Sequence, residues 1–182
     1  MNNKDLPLVS LALEPLLSHI SAHLLLNQQL ICTAESCTGG LIAAYCTEIP
    51  GSSQWFERAF ITYSNVAKHE SIGVPTALIT QYGAVSQEVA LSMATGALSH
   101  SKAHWSIAVT GIAGPSGGSP EKPVGLVWCA FAWRDTLSQT QNFHTYSESQ
   151  VFSGNRHAIR QATVRHVFNV LSNLMDETAV TG

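Results

Sequence analysis

Two short β-prone runs that empty straight into glycine-rich turns constrain this chain more than any other feature. Leu30-Ile31-Cys32-Thr33-Ala34 ends at Glu35-Ser36 and continues through Thr38-Gly39-Gly40, and Trp105 to Thr110 runs into Gly111-Ile112-Ala113-Gly114-Pro115-Ser116-Gly117-Gly118. Residues 8–27 carry apolar positions at helical spacing, with Pro15 breaking or restarting the helix near its front. Thr38-Gly39-Gly40 opens a second helix through about Thr47, where Pro50-Gly51 stop it. Phe60-Ile61-Thr62-Tyr63 reads as a further short strand. Val85 to His100 reads as a helix with Ser86 as its N-cap and Val89, Met93 and Ala97 on one face.

Val124 to Trp133 is almost continuously apolar and suits a central strand. Residues 134–150 are polar and turn-like, the expected tip of a hairpin. A last helix starts near Asn155, with Ile159, Ala162, His166, Val170 and Leu174 tracing its stripe, and the tail from Asp176 is expected to fray. Strands alternating with helices predict an α/β fold, a single layered domain with a mixed β-sheet flanked by helices. No internal repeat or separating linker is visible, so residues 1–182 are expected to form one domain with a core of about 10–175.

Composition narrows the function classes. Apolar residues make up 45% of the 182 and charged ones 12%, enough apolar surface to exclude a disordered chain. Nine Lys and Arg against twelve Asp and Glu leave a net charge of −3, which argues against a nucleic-acid partner, since that needs a basic face. The N-terminal stretch, interrupted by Pro7, Glu14 and Pro15, does not read as a signal peptide. No apolar run approaches a membrane span. Cys32, Cys37, Cys46 and Cys129 form no CxxC pair and sit in apolar segments, as reduced thiols of a cytoplasmic protein would. His19/His23 and His100/His104 are spaced i, i+4 without an acidic or cysteine ligand beside them, so no metal site is expected.

Both glycine-rich turns are candidates for chemistry. A serine where a strand meets a helix N-terminus, such as Ser36, sits beside unpaired backbone N–H groups that could hold an oxyanion or a phosphate. The same pattern also fits an ordinary N-cap. Residues 111–125 hold five glycines and three prolines, a rigid but open backbone able to present N–H donors to an anion. They match neither a Walker loop nor GxGxxG. A serine nucleophile needs a base, and GxSxG is absent. The SxxK matches Ser99–Lys102 and Ser119–Lys122 read as chance. Lys68 reads either as a solvated surface lysine or, drawn into a poorly solvated site, as a base towards serine, with Tyr63 relaying or orienting the proton. Arg156 and Arg160, four apart at the start of the last helix, fit a phosphate clamp or a pair of solvated arginines.

Taken together the segments resemble a known family. Thr-Ala-Glu-Ser-Cys-Thr-Gly-Gly at 33–40, Pro-Gly-Ser-Ser-Gln-Trp-Phe at 50–56 and Tyr-Ser-Asn-Val-Ala-Lys at 63–68 come first. Gly-Ala-Val-Ser at 83–86, Thr-Gly-Ile-Ala-Gly-Pro-Ser-Gly-Gly at 110–118, Lys-Pro-Val-Gly at 122–125 and Phe-Ser-Gly-Asn-Arg at 152–156 follow in order. Over roughly residues 10–175 the chain resembles the CinA C-terminal-domain family in its stand-alone form. Its enzymatic members are nicotinamide-nucleotide amidohydrolases.

The resemblance implies hydrolysis of the carboxamide of nicotinamide mononucleotide (NMN) to nicotinate mononucleotide and ammonia, without a metal or cofactor. Carried residue by residue, it makes Ser36 the nucleophile, Lys68 its base and Tyr63 a supporting catalytic residue. Thr38, Gly39 and Gly40, with Thr110, Gly111 and Gly114 of the second turn, become substrate-binding positions, and Arg156 with Arg160 the basic residues for the phosphate. Backbone N–H groups from Ser36 to Gly40 would stabilise the oxyanion. Where many relatives have Gly-Asp-Arg this chain has Gly154-Asn155-Arg156, and Asn keeps the capping function. The expected partner is the nucleotide substrate, with neither nucleic acid nor membrane. Trp55 and Phe56 beside Arg58 would suit a homo-oligomer contact. A noncatalytic pyridine-nucleotide-binding module and a serine–lysine hydrolase of another amide are the competing readings.

Overall fold

The structure is a computed structural model that describes residues 13–134 and 143–180. Elements follow the chain as α1 (Glu14–Leu26), β1 (Ile31–Glu35), α2 (Leu41–Glu48), a 3-10 turn (Ser52–Gln54) and β2 (Phe56–Ile61). Next come α3 (Asn65–Ile72), α4 (Thr76–Tyr82), α5 (Gln87–Ser99), β3 (Trp105–Gly111), β4 (Leu126–Arg134), β5 (Phe143–Val151) and α6 (Arg156–Val180). The five strands form one mixed sheet in the order β2-β1-β3-β4-β5. β1 pairs parallel with β2 and with β3, and β4 and β5 add antiparallel. This is the expected α/β layered architecture.

The two-residue period of the strands sorts side chains between two cores. Ile31, Trp105, Ile107, Val109, Val127, Cys129 and Phe131 face α1 and α6, where Leu17, Ile20, Leu24, Val164, Phe168 and Leu171 cover them. The alternate positions Cys32, Ala34, Ala108, Ala130 and Ala132 are all small and face α5. Small side chains let α5 lie close, and Ser106 Oγ donates to Ala94 O of that helix at 2.9 Å. α5 in turn carries Gly96, where an added Cβ would stand 2.2 Å from Ile72 O at the end of α3. The helix that bears Lys68 is thus seated on the α5 backbone.

Most elements lie where the sequence puts them. Ser86 caps α5, its Oγ accepting from Val89 N at 3.4 Å, and Asn155 Oδ1 caps α6 through Ala158 N at 3.0 Å. Pro15 sits in the first turn of α1, where it starts the helix instead of breaking it, while positions 8–12 of the expected helix lie outside the described residues.

Four expectations are corrected. β2 covers Phe56–Ile61, not 60–63; Glu57 and Arg58 on this edge strand break the apolar pattern, yet Ile31 aligns with Phe56. α3 and α4 are additional to the expected elements: at 8 and 7 residues they are too short to show a helical stripe, and five of the eight residues of α3 are polar. Much of 134–150 is β5 strand, an edge strand polar on its open side; the hairpin tip itself lies outside the described residues. α6 continues past Asp176 to Val180, with Met175 fully buried and Asp176 bonded to His19 at 3.0 Å.

Replacing Gly96 by Ala is expected to destabilise the protein by about 1–3 kcal/mol. The contact with Ile72 O outweighs the gain of about 1 kcal/mol in helix propensity. A lower midpoint in urea denaturation is the check.

Candidate active site

A sheet ordered β2-β1-β3 with parallel pairing opens a crevice at the carboxyl ends of its strands, where successive connections leave in different directions. Ser36 follows β1, Tyr63 lies two residues beyond β2, and Thr110-Gly111 close β3. A cavity of about 250 Å³ lies there, with Ser36, Lys68, Tyr63, Asn65, Thr110 and Arg156 on its wall. Arg156 brings a fixed positive charge to it and, among the described residues, no Asp or Glu lines it, so the cavity suits an anionic ligand.

Ser36 extends the β1–β3 ladder, its N–H donating to Val109 O at 3.1 Å, and is 8% exposed. Lys68 is 1% exposed. It lies one turn into α3, whose start is fixed by the Ser64 cap: Oγ accepts from Ala67 N at 3.0 Å. Its Nζ lies 3.0 Å from Ser36 Oγ, 2.8 Å from Thr62 O and 3.5 Å from Tyr63 O. Among the described residues no carboxylate pairs with it. Burial therefore pulls its pKa below the ordinary lysine value of 10.5, opposed only by the nearby Cys37. A neutral amine can donate to the two carbonyls and keep its lone pair for the serine hydroxyl.

The folded chain holds the Lys68 proton less tightly than the unfolded one. The full penalty on stability therefore stands below the folded pKa and is relieved as pH rises towards 10.5.

The turn after Ser36 is internally bonded. Gly39 N–H donates to Ser36 O at 3.1 Å and Gly40 N–H to Glu35 Oε2 at 2.9 Å. Thr38 is fully buried with its hydroxyl on Glu35 Oε2 at 2.7 Å. Among the described residues, the Cys37 and Thr38 N–H groups donate to no other residue, and Cys37 lies on the cavity wall. Arg160 Nη2 donates to Thr38 O at 2.6 Å, so this arginine braces the turn from outside the cavity. Arg156 is placed differently: Nη1 donates to Gly114 O at 2.9 Å and Nη2 to the Tyr63 hydroxyl at 3.2 Å. Tyr63 is 61% exposed, and its phenol meets Arg156 at the open side rather than Ser36 or Lys68.

The second turn continues the lining beside Ser36, because β3 is the parallel neighbour of β1 and Glu35 is in register with Val109. Thr110 Oγ1 donates to Ala84 O at 2.7 Å, and Lys122 Nζ donates to Tyr82 O at 2.9 Å and Val85 O at 2.7 Å. Gly111 is required there, because a Cβ would stand 2.6 Å from Leu126 O. Of the residues singled out in the sequence, the structure brings Ser36, Lys68, Tyr63, Thr110, Gly111 and Arg156 together around one cavity, whereas Thr38, Gly39, Gly40, Gly114 and Arg160 do not line it. Cys37, Asn65, Ala84, Val85 and Ala113 also line the cavity. They stand inside or beside the quoted motifs, but nothing in their pattern separated them from their neighbours. Among the described residues no three His, Cys, Asp or Glu side chains converge on a metal-sized space. No described helix is long and apolar enough to cross a membrane.

Residues 13–175 match the CinA C-terminal domain. The chain belongs to that family. The nicotinamide-nucleotide amidohydrolase PncC of Pseudomonas putida is 48% identical over 149 residues, 82% of this chain and 88% of that relative. The protein of the same name from Escherichia coli (strain K12) is 47% identical over 141 residues, 78% and 81% of the two chains. The crystal structure of the competence/damage inducible protein CihA from Agrobacterium tumefaciens superposes with a TM-score of 0.81 at 44% identity, covering 91% of this chain and 99% of that one. The fold is therefore that of a CinA C-terminal domain.

All four cysteines of this domain are buried and free. Burial pushes the Cys32 and Cys37 thiols up to about 12 and raises Cys46 and Cys129 as well. Near pH 8, roughly where an unperturbed thiol ionises, the native protein is expected to leave Ellman's reagent almost unreacted. All four thiols should react in denaturant.

Proposed function

We propose that this chain hydrolyses the carboxamide of NMN to nicotinate mononucleotide and ammonia, with Ser36 as nucleophile and Lys68 as base. The observation that carries the reading is a buried lysine, unpaired with any carboxylate among the described residues, 3.0 Å from a serine hydroxyl in a crevice free of acidic side chains. The amidohydrolase names of the relatives supply the substrate.

Neutral Lys68 accepts the Ser36 proton as Oγ attacks the carboxamide carbon. The oxyanion of the tetrahedral intermediate takes the N–H groups of Cys37 and Thr38, the donors of the turn not already bonded elsewhere. Lys68 returns the proton to the departing amide nitrogen, which leaves as ammonia. Water, deprotonated by the same amine, then cleaves the ester to the carboxylate and restores Ser36. Arg156 holds the phosphate at the open side, Tyr63 supports it through the shared hydrogen bond, and Thr110 and Gly111 bound the substrate beside Ser36. Gly39, Gly40, Gly114 and Arg160, together with the Thr38 side chain, serve by shaping the turns.

Wild-type protein is expected to release ammonia from NMN with EDTA present, and Ser36→Ala to lose about 10³-fold or more in kcat. NMN binding by the folded wild type without ammonia release would instead favour a binding module. Lys68→Met should lower kcat by about 10²–10⁴-fold with little change in KM. The wild-type kcat/KM should rise with pH to a midpoint below 10.5, because the base must lose its proton. Arg156→Ala should raise KM for NMN by about 10–100-fold and that for nicotinamide riboside far less. Equal losses for both would remove the phosphate role.

A further inference from the structure

Glu35 is the most heavily bonded side chain near the cavity, yet it does not line it. Its carboxylate is fully buried and among the described residues has no cationic partner. Five donors converge on it. Oε2 accepts from Thr38 Oγ1 at 2.7 Å, Gly40 N at 2.9 Å and Ile42 N at 3.1 Å; Oε1 accepts from Ala43 N at 2.8 Å and Thr33 Oγ1 at 3.3 Å.

A buried carboxylate is costly unless its lone pairs are filled, and a simple helix cap does not need one. Here the cap position of α2 is Gly40, left-handed at φ 93° and without a side chain. The capping oxygens reach it from the preceding strand instead. The first amides of α2 are thereby consumed by an anion of the protein itself, so that helix end is closed to a ligand. The bonds to Thr38 and Gly40 also fix the turn that carries the Cys37 and Thr38 N–H groups. The main chain of Glu35 reaches the base: its carbonyl accepts from Thr62 N at 2.8 Å, and Thr62 O accepts from Lys68 Nζ.

We propose that Glu35 is the positioning residue of this site, holding Ser36, the two free amides and the Thr62 carbonyl in one frame, an inference that rests on the serine–lysine reading above. The isosteric Glu35→Gln turns one acceptor into a donor facing donors and lets the turn shift. A displacement of about 1 Å at the reacting atoms lowers kcat by about 10²-fold. KM for NMN should stay within about threefold of wild type, since Arg156 is untouched. The pH midpoint of kcat/KM should not move, because Lys68 remains the titrating base. Thr38→Val, which removes one donor and leaves the carboxylate in place, should give a smaller fall of about tenfold in the same direction and serves if Glu35→Gln does not fold.

The rate at which a fluorophosphonate labels Ser36, read by mass spectrometry on the folded proteins, should fall in the same order whatever amide is the natural substrate. A folded Glu35→Gln protein with wild-type kcat and labelling rate but lower thermal stability would overturn the proposal, as would an ionisation lost from its pH profile. If Glu35→Gln does not fold, wild-type kcat and labelling in Thr38→Val would overturn it. Wild type that labels at Ser36 but releases no ammonia from NMN would defeat the substrate assignment alone.

Discussion

A buried amine with no counter-ion among the described residues is the constraint around which this crevice is organised. Lys68 gives up the hydration of a charged group and receives main-chain carbonyls and a serine hydroxyl in exchange. That exchange favours the neutral amine, and it holds only if the strand end supplying the carbonyls is fixed relative to the helix supplying the lysine. Ending β2 at Ile61 frees the Thr62 and Tyr63 carbonyls to turn inward, and the Ser64 cap starts α3 at once, so that four residues later the amine meets them. A carboxylate at Lys68 would stabilise the charged form and remove the lone pair that the proposed chemistry needs. The acid of this region, Glu35, is kept apart and saturated by five donors of its own.

The arginines divide their work by position on one helix. Four residues apart on α6, they sit one turn apart on the same side, yet Arg156 ends on the cavity wall and Arg160 on the outside of the nucleophile turn. The first meets the exposed Tyr63 phenol at the open side of the cavity. The second is committed to a main-chain carbonyl whose loss would loosen the turn. Spacing alone assigns both to one anion; the partners they meet, Gly114 and Tyr63 for Arg156 and Thr38 for Arg160, separate them.

What could be read in advance follows burial. β1, β3 and β4 are covered on both faces, so their apolar runs stood out, and α5 and α6 announced themselves by a capping residue and a stripe. β2 and β5 are edge strands whose open sides are charged or polar, and period-two reasoning weakens there. α3 was hidden for a different reason. Its central residue is a lysine whose environment is made by other strands, and no local pattern distinguishes a buried lysine from a solvated one. Ser36, Lys68 and Arg156 became visible as a set through the order of several motifs along the chain, whereas their 3.0 Å and 3.2 Å contacts are properties of the sheet crossing. The capping carboxylate of Glu35 had no such signal, since it caps from the strand side.

The run of small side chains on one face of the sheet makes the base sensitive to distant change. Ala34, Ala108, Ala130 and Ala132 are the bed on which α5 rests, and α5 is the bed for the end of α3. Layers in such close contact have no slack to absorb an added methyl group, so the displacement is passed upward. A larger residue on β4, a strand that holds neither Ser36 nor Lys68, would lift the helix that carries the amine while the serine stays with its strand. The sheet thus works as a spacer that sets the gap between proton donor and acceptor, and its tolerance to substitution is limited by that gap before it is limited by folding.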